Sequence, residues 1–273
     1  MNQKIISIIG CGWLGLPLAE QLLGAGYTVK GSTTSAQKRA VLIQQSIDAY
    51  QLLLNPEPIG NLNALLDADT LIINIPPKAG KMGEGFHPQQ IEQLTNAIRL
   101  SGIQHVIYVS STSVYPELNR TVVEADVTTE TGAGAPMLVR AEQLVQSLMP
   151  EKLVTVVRFG GLMGYDRIPG KYVAGKTVDS GAVPVNYIHQ NDAAGILQII
   201  IGQQPTGVFN GVAPEHPTRE AVYRKSCKDF SYELPVFVQP DAPILYKIVS
   251  PNKLIQETKY DFQYPNPLDF LYR

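Results

Sequence analysis

The chain is short of the residues that announce several kinds of chemistry. Its 273 residues include two cysteines, one tryptophan and four histidines. Cys11 and Cys227 form no metal-like spacing and read as free thiols of a reducing compartment rather than a disulfide. His87, His105, His189 and His216 are scattered without HExxH-type spacing, so no metal centre is expected. There is no Gly-x-Ser-x-Gly nucleophile elbow. Only 17% of residues are charged and the formal net charge is -2, which excludes the clustered basic surface of a nucleic-acid binder. No apolar run reaches membrane-spanning length, and the opening MNQKIISIIG has too short an apolar stretch for a signal h-region. A cytoplasmic chain with neither membrane nor nucleic-acid partners is the expectation.

What is present is apolar and regularly patterned. Hydrophobic residues make up 44% of the chain, ample for a full core. β-Branched runs at Lys4–Ile9, Tyr27–Lys30, Ala49–Leu54, Thr70–Ile75, His105–Ser110, Leu153–Arg158 and Gly207–Val212 read as strands. Helical patterns at Leu14–Gly24, Ala36–Ser46, Asn61–Asp67, Pro88–Ser101, Pro136–Met149 and Gln190–Ile201 alternate with them. That order predicts an α/β chain, a Rossmann-type doubly wound parallel sheet with helices on both faces. Residues 1–158 with 186–212 are assigned to this domain. The Gly-, Pro- and aromatic-rich stretches 159–185 and 213–273 are assigned to a small C-terminal substrate lobe.

Gly10-Cys11-Gly12-Trp13-Leu14-Gly15 is a GxGxxG loop between a predicted strand and a predicted helix, the context in which this motif predicts dinucleotide binding. Gly10 permits the tight turn, Gly12 lets backbone approach a pyrophosphate, and Gly15 lets helix and strand pack closely. The helix N-terminus adds free N–H groups and partial positive charge. The bland alternative is a tight turn with no ligand. Where an NAD site carries a carboxylate, about 20 residues on, this chain reads Lys30-Gly31-Ser32-Thr33-Thr34-Ser35, followed by Lys38 and Arg39. Hydroxyls with nearby cations suit a 2′-phosphate, so NADP is favoured over NAD, which stays possible. Ser35 could equally cap the next helix. The expected cofactor contacts are Gly10, Gly12, Trp13, Leu14, Gly15, Ser32, Thr33, Thr34 and Lys38, with Ile75, Pro76 and Ser110 at later strand ends. Lys78 and Lys81 could reach phosphates or be solvated.

Val106-Ile107-Tyr108-Val109-Ser110-Ser111-Thr112-Ser113-Val114-Tyr115 and Tyr187-Ile188-His189-Gln190-Asn191-Asp192-Ala193-Ala194, taken with the glycine loop, resemble motifs of the extended short-chain dehydrogenase/reductase superfamily. That superfamily includes nucleotide-sugar epimerases and dehydratases. Arg158-Phe159 matches a third motif, with Gly160 and Gly161 in place of bulkier residues. The resemblance spans residues 4–212. It implies that Ser111 helps bind a reacting oxygen and that Asp192 caps a helix near the substrate cleft. It also implies a Tyr-x-x-x-Lys acid/base pair, which is missing: Met137 and Ala141 occupy those places, and Arg140 is about 100° round the helix. The chain therefore looks like an atypical member of the superfamily.

Ser111 is the surviving catalytic-type candidate, with Tyr115 and His189 weaker ones. Each has a plainer role to hand: strand-end cap, packing residue and backbone-bonded buried histidine. Tyr165, Tyr172 and Tyr187 read as amphipathic packing residues. Two functions remain open. One is an NAD(P)-dependent epimerase-, dehydratase- or reductase-like enzyme for a sugar nucleotide or a smaller polyol or carbonyl. The other is a non-catalytic NADP-binding sensor or regulatory protein. A different Rossmann dehydrogenase is disfavoured by the strand-five and Tyr-Ile-His motifs. A homodimer through the helices near 88–101 and 136–149 is possible.

Overall fold

The computed structural model describes residues 4–77 and 82–273. Lys78 and Lys81 lie outside the described residues. The centre is an eight-stranded sheet. Its strands are β1 (Ile5–Ile9), β2 (Thr28–Thr33), β3 (Asp48–Asn55), β4 (Glu57–Gly60), β5 (Thr70–Ile73), β6 (His105–Ser111), β8 (Leu153–Phe159) and β12 (Gly207–Gly211). They lie in the order β12-β8-β6-β5-β1-β2-β3-β4. All neighbours pair parallel except β3 and β4. The order reverses between β1 and β5, so the sheet is doubly wound as expected. That switch point opens a crevice beyond the strand C-termini.

Alternation along the strands sorts the core into two layers. On one face Ile9, Leu71, Ile73, Val106 and Tyr108 pack with Ile91, Leu94, Leu138 and Val145 of the helices Phe86–Arg99 and Pro136–Gln146. On the other, Ile6, Ile8, Ile72 and Ile107 pack with Leu18 and Leu22 of Gly15–Gly24 and Leu197 of Gln190–Gln203. Each fully buried aliphatic side chain contributes roughly 1.5–3 kcal/mol, so the period-two pattern fixes the register of every central strand.

Three details differ from expectation. Residues 55–60, assigned no element, hold β4, with Pro56 just before it and Pro58 inside it; an edge strand tolerates proline. The strand after Asp69 stops at Ile73 and not Ile75. The last 61 residues (213–273), assigned no elements, hold the helices Arg219–Asp229 and Asn252–Thr258. Outside the main sheet, β7 (Arg120–Val122) pairs parallel with β14 (Lys247–Val249), β9 (Gly161–Met163) with β11 (Tyr187–His189), and β10 (Thr177–Val178) with β13 (Val236–Phe237).

Candidate functional site: a cleft at the switch point

A cleft of about 430 Å³ lies over the C-terminal ends of β3, β2, β1, β5 and β6. Those five adjacent strands span four interstrand spacings, about 19 Å. Its floor is the glycine loop. Gly10 has φ +107, and a Cβ there would come within 2.2 Å of the Asn74 carbonyl oxygen. Gly15 sits so close that a Cβ would meet the Gly10 carbonyl oxygen at 2.3 Å, while a Cβ on Gly12 would meet nothing within 4 Å. Two glycines therefore serve the fold, and Gly12 faces open space. The loop is held by Ser32 Oγ, which accepts from Gly10 N at 3.1 Å, and by Asn74 Nδ2, which donates to Gly10 O at 2.9 Å. The following helix, Gly15–Gly24, has Leu14 at its N-cap, with no side-chain cap and no acid in its first turn. Its N-terminal dipole is thus uncompensated where the cleft begins. Cys11 lines the cleft as well, but burial pushes its thiol up to about 12, so it is inert.

At the end of β2 the sequence expectations separate. Thr33, Thr34 and Lys38 line the cleft, and Lys38 is exposed. Ser32 also lines it, with its hydroxyl oxygen used to hold the loop. Ser35 does cap the next helix, accepting from Lys38 N at 3.3 Å. Arg39 is turned to the sheet edge, donating from Nε to Ala49 O. Lys30 is buried, its ammonium donating to the Ala64 and Asp67 carbonyls at the end of the short helix Leu62–Leu66. No Asp or Glu lines the cleft among the described residues.

Ile75 and Pro76, then Ser110 and Ser111, complete the far wall with Val109, Leu138 and Leu162. The helix Pro136–Gln146 presents Leu138 there. Ala141 faces the core instead, and Met137 does not line the cleft. The helix on which the resemblance places the missing acid/base pair thus shows the cleft an apolar side chain. Ser111 Oγ accepts from Ser113 N at 3.1 Å, which caps a 3₁₀ turn and leaves its own hydrogen for a ligand.

The two weaker candidates are packed away from the cleft. Tyr115 is buried, donates to Asn210 Oδ1 at 2.7 Å and accepts from Arg158 at 2.8 Å; burial pushes its phenol up to about 12. His189 is buried among Tyr165, Tyr264 and Phe270. Its Nε2 bonds Leu271 O and its Nδ1 accepts from Asn191 N, so it is His189 and not Asp192 that caps the following helix. Asp192 instead accepts from Tyr260 Oη, Gln263 N and Tyr264 N, pinning the C-terminal segment.

Several site residues escape sequence reasoning. Asn74 holds the glycine loop and immediately precedes Ile75-Pro76. Gln190 bonds Trp13 O at 2.5 Å from a remote helix. Beneath the cleft, Glu142 and Arg158 form a buried ion pair at 2.6 Å. Arg167 lines the cleft from the segment after β8. Among the described residues no group of His, Cys, Asp and Glu is arranged to hold a metal ion. No helix among them is long and apolar enough to cross a membrane.

No protein-family model matches the chain. It is 33% identical to Protein YeeZ of Escherichia coli (strain K12) over 270 residues, covering 97% of this chain and 98% of that protein. Among solved structures it is similar to a functionally unknown conserved protein from Silicibacter pomeroyi DSS, with TM-score 0.76, 22% identity and coverage of 97% and 96%. MoeE5 in complex with UDP-glucuronic acid and NAD superposes with TM-score 0.77 at 15% identity over 97% of each chain. UDP-N-acetylglucosamine 4-epimerase from Bacillus cereus follows at TM-score 0.72 and 15% identity, covering 98% and 97%. The epimerase/dehydratase-like Rossmann fold expected from the motifs is the fold these structures share with the chain.

Proposed function

Because the chain belongs to the family of Escherichia coli Protein YeeZ and carries the fold of the extended short-chain dehydrogenases/reductases, we propose that it binds NADP across the switch-point cleft and holds a carbonyl or alcohol carbon of a second ligand near the nicotinamide. The observation that carries this reading is the cleft lining itself. The uncapped helix and Gly12 suit a pyrophosphate. Leu52, Leu53 and Leu54 offer an apolar wall beside β2 for an adenine. Thr33, Thr34 and Lys38 suit a 2′-phosphate, and no described carboxylate is there to prefer the 2′-hydroxyl of NAD. MoeE5 was solved with NAD, which supports a nicotinamide dinucleotide at the coarser level.

When bound, NADP would supply hydride chemistry. The protein's part is orientation. Ser111 donates a hydrogen bond to the reacting oxygen, and Ser110 and Leu138 bound the space beside it. No Tyr, His, Asp or Glu lines the cleft among the described residues, so the proton for a reduced carbonyl comes from water. The second ligand is a sugar nucleotide, as in the solved complexes of similar fold, or a smaller polyol or carbonyl compound. The same missing acid favours a second reading, an NADP-binding protein without turnover. Calorimetry with NADP and NAD tests binding. Single-turnover mixing of bound NADPH with a carbonyl panel, followed at 340 nm, separates the two readings. No binding of either dinucleotide would overturn both. The helices Phe86–Arg99 and Pro136–Gln146 are proposed as a homodimer face, tested by sedimentation equilibrium.

A further inference from the structure

Arg167 is the cation of the cleft that comes from outside the main sheet. It closes a turn in which Arg167 N donates to Gly164 O at 2.9 Å. That turn is firmly built. Gly164 has φ +124, and a Cβ there would press on His189 Nε2 at 2.8 Å. Tyr165 Oη donates to Asn191 Oδ1 at 2.8 Å, and Tyr165 exchanges backbone hydrogen bonds with the C-terminal Leu271 and Arg273. The tip of the turn then grips the glycine loop. Asp166 accepts from Trp13 Nε1 at 2.6 Å, and the Arg167 guanidinium lies 4.0 Å from the centre of the same indole ring.

This arrangement leaves Arg167 available to a ligand. Its one close carboxylate neighbour in sequence, Asp166, is committed to the indole. Among the described residues its guanidinium makes no side-chain hydrogen bond or ion pair, and no carboxylate lines the cleft it faces. Stacking uses the face of a guanidinium and keeps its in-plane N–H donors free for an anion. Arg167 and the uncapped helix N-terminus line the same cleft.

We propose that Arg167 is a phosphate ligand of the dinucleotide: it closes on the pyrophosphate from the lobe side, opposite the glycine loop, with Trp13 as the surface that positions it. This rests on the dinucleotide reading above. It adds a binding residue that no motif marks, and it makes Trp13 a coupling element between loop and lobe.

Trp13 is the chain's single tryptophan, so tryptophan emission reports on this one ring, with its Arg167 stack and its bond to Asp166. Wild-type protein titrated with NADP should show a saturable change in emission. Arg167→Ala should alter emission before any ligand is added and weaken NADP and ADP about tenfold to a hundredfold. It should leave adenosine, which has no phosphate, unchanged. Arg167→Lys should recover part of the loss, since it keeps the charge but not the two-pronged donor set; it also carries the test if the alanine variant melts early. Unchanged NADP affinity in both variants, or an equal loss for adenosine and ADP, overturns the role of Arg167 and leaves the dinucleotide reading standing. A wild type that binds no dinucleotide overturns the reading and this inference with it.

Discussion

Ser110 donates its hydroxyl hydrogen to Glu142 across 2.5 Å, so this cleft-lining hydroxyl is fixed from beneath and offers the cleft only lone pairs. Ser111, next to it, is the reverse. Its oxygen accepts from Ser113 N, and its hydrogen has no partner among the described residues. Neighbouring serines therefore present opposite polarity to a ligand. The orientation is set by Arg158, which donates to both Glu142 oxygens, to Tyr115 Oη and to the Val127 carbonyl, all out of water.

The Glu142–Arg158 pair is buried at both ends, with side-chain exposures of 1% and 2%. Removing one partner strands the other's charge. Glu142→Ala and Arg158→Ala should each cost about 3–5 kcal/mol, and the double variant clearly less than their sum. Urea unfolding of the four proteins gives the cycle. Additive losses would mean that the two residues act independently.

The glycine loop separates folding from binding. Gly10→Ala puts a Cβ into the Asn74 carbonyl at positive φ and should unfold the loop, lowering the melting temperature by several degrees. Gly12→Val meets no protein atom at its Cβ, so the melting temperature should change little. The same side chain enters the space assigned to the pyrophosphate, and dinucleotide binding should be lost. Thermal melts and calorimetry on both variants check this. A Gly12→Val protein that still binds NADP would move the pyrophosphate elsewhere.

The sheet was legible because each central strand is short, β-branched and bounded by turn residues, and the glycine loop because its three glycines have distinct steric duties. Glu142 was visible only as part of a helical pattern. Nothing local marks it as the partner of Arg158, since the pair is made by packing a helix under a strand 16 residues later. Arg167 and Asn74 escaped for the same reason: their partners, Trp13 and Gly10, lie at the other side of a chain closure. The expected register of the acid/base helix was also beyond reach. Its face toward the cleft depends on how the helix rolls on the sheet, which brings Leu138 to the front and buries Ala141.

The NADP preference proposed above puts a 2′-phosphate at one end of the cleft. Lys38 is exposed beside Thr33 and Thr34. A charge-assisted bond of this kind contributes about 1.5–3 kcal/mol. Lys38→Glu should weaken NADP by about tenfold or more while leaving NAD nearly unchanged. Calorimetric dissociation constants for both dinucleotides decide it, and a wild type that binds NAD more tightly than NADP would reverse the assignment.

Burial disfavours a proton on all four histidines, which gives the protein an acid-side weakness. Burial pushes His87 and His105 down to about 4 and lowers His189 and His216. Hydrogen bonding shows why two of them resist a proton. Thr155 gives its hydrogen to the Pro205 carbonyl, so His105 Nε2 must be the donor to Thr155 Oγ, at 2.9 Å, and a proton added at the buried Nδ1 would find no acceptor among the described residues. His189 bonds the Leu271 carbonyl through Nε2 and accepts the Asn191 N–H on Nδ1, where a second hydrogen would collide with the first. The unfolded chain takes these protons near pH 6.5. Between pH 6.5 and 4 it therefore binds more protons than the folded chain, and stability falls as pH falls. Each fully excluded proton steepens the loss by about 1.4 kcal/mol per pH unit. Urea midpoints at pH 7.5, 6 and 5 should decline in that order, and His105→Gln should flatten the slope by about one proton. A profile with no decline from pH 6.5 to 5 would mean that the folded protein admits these protons, and that the His105 and His189 bonds described above rearrange to receive them.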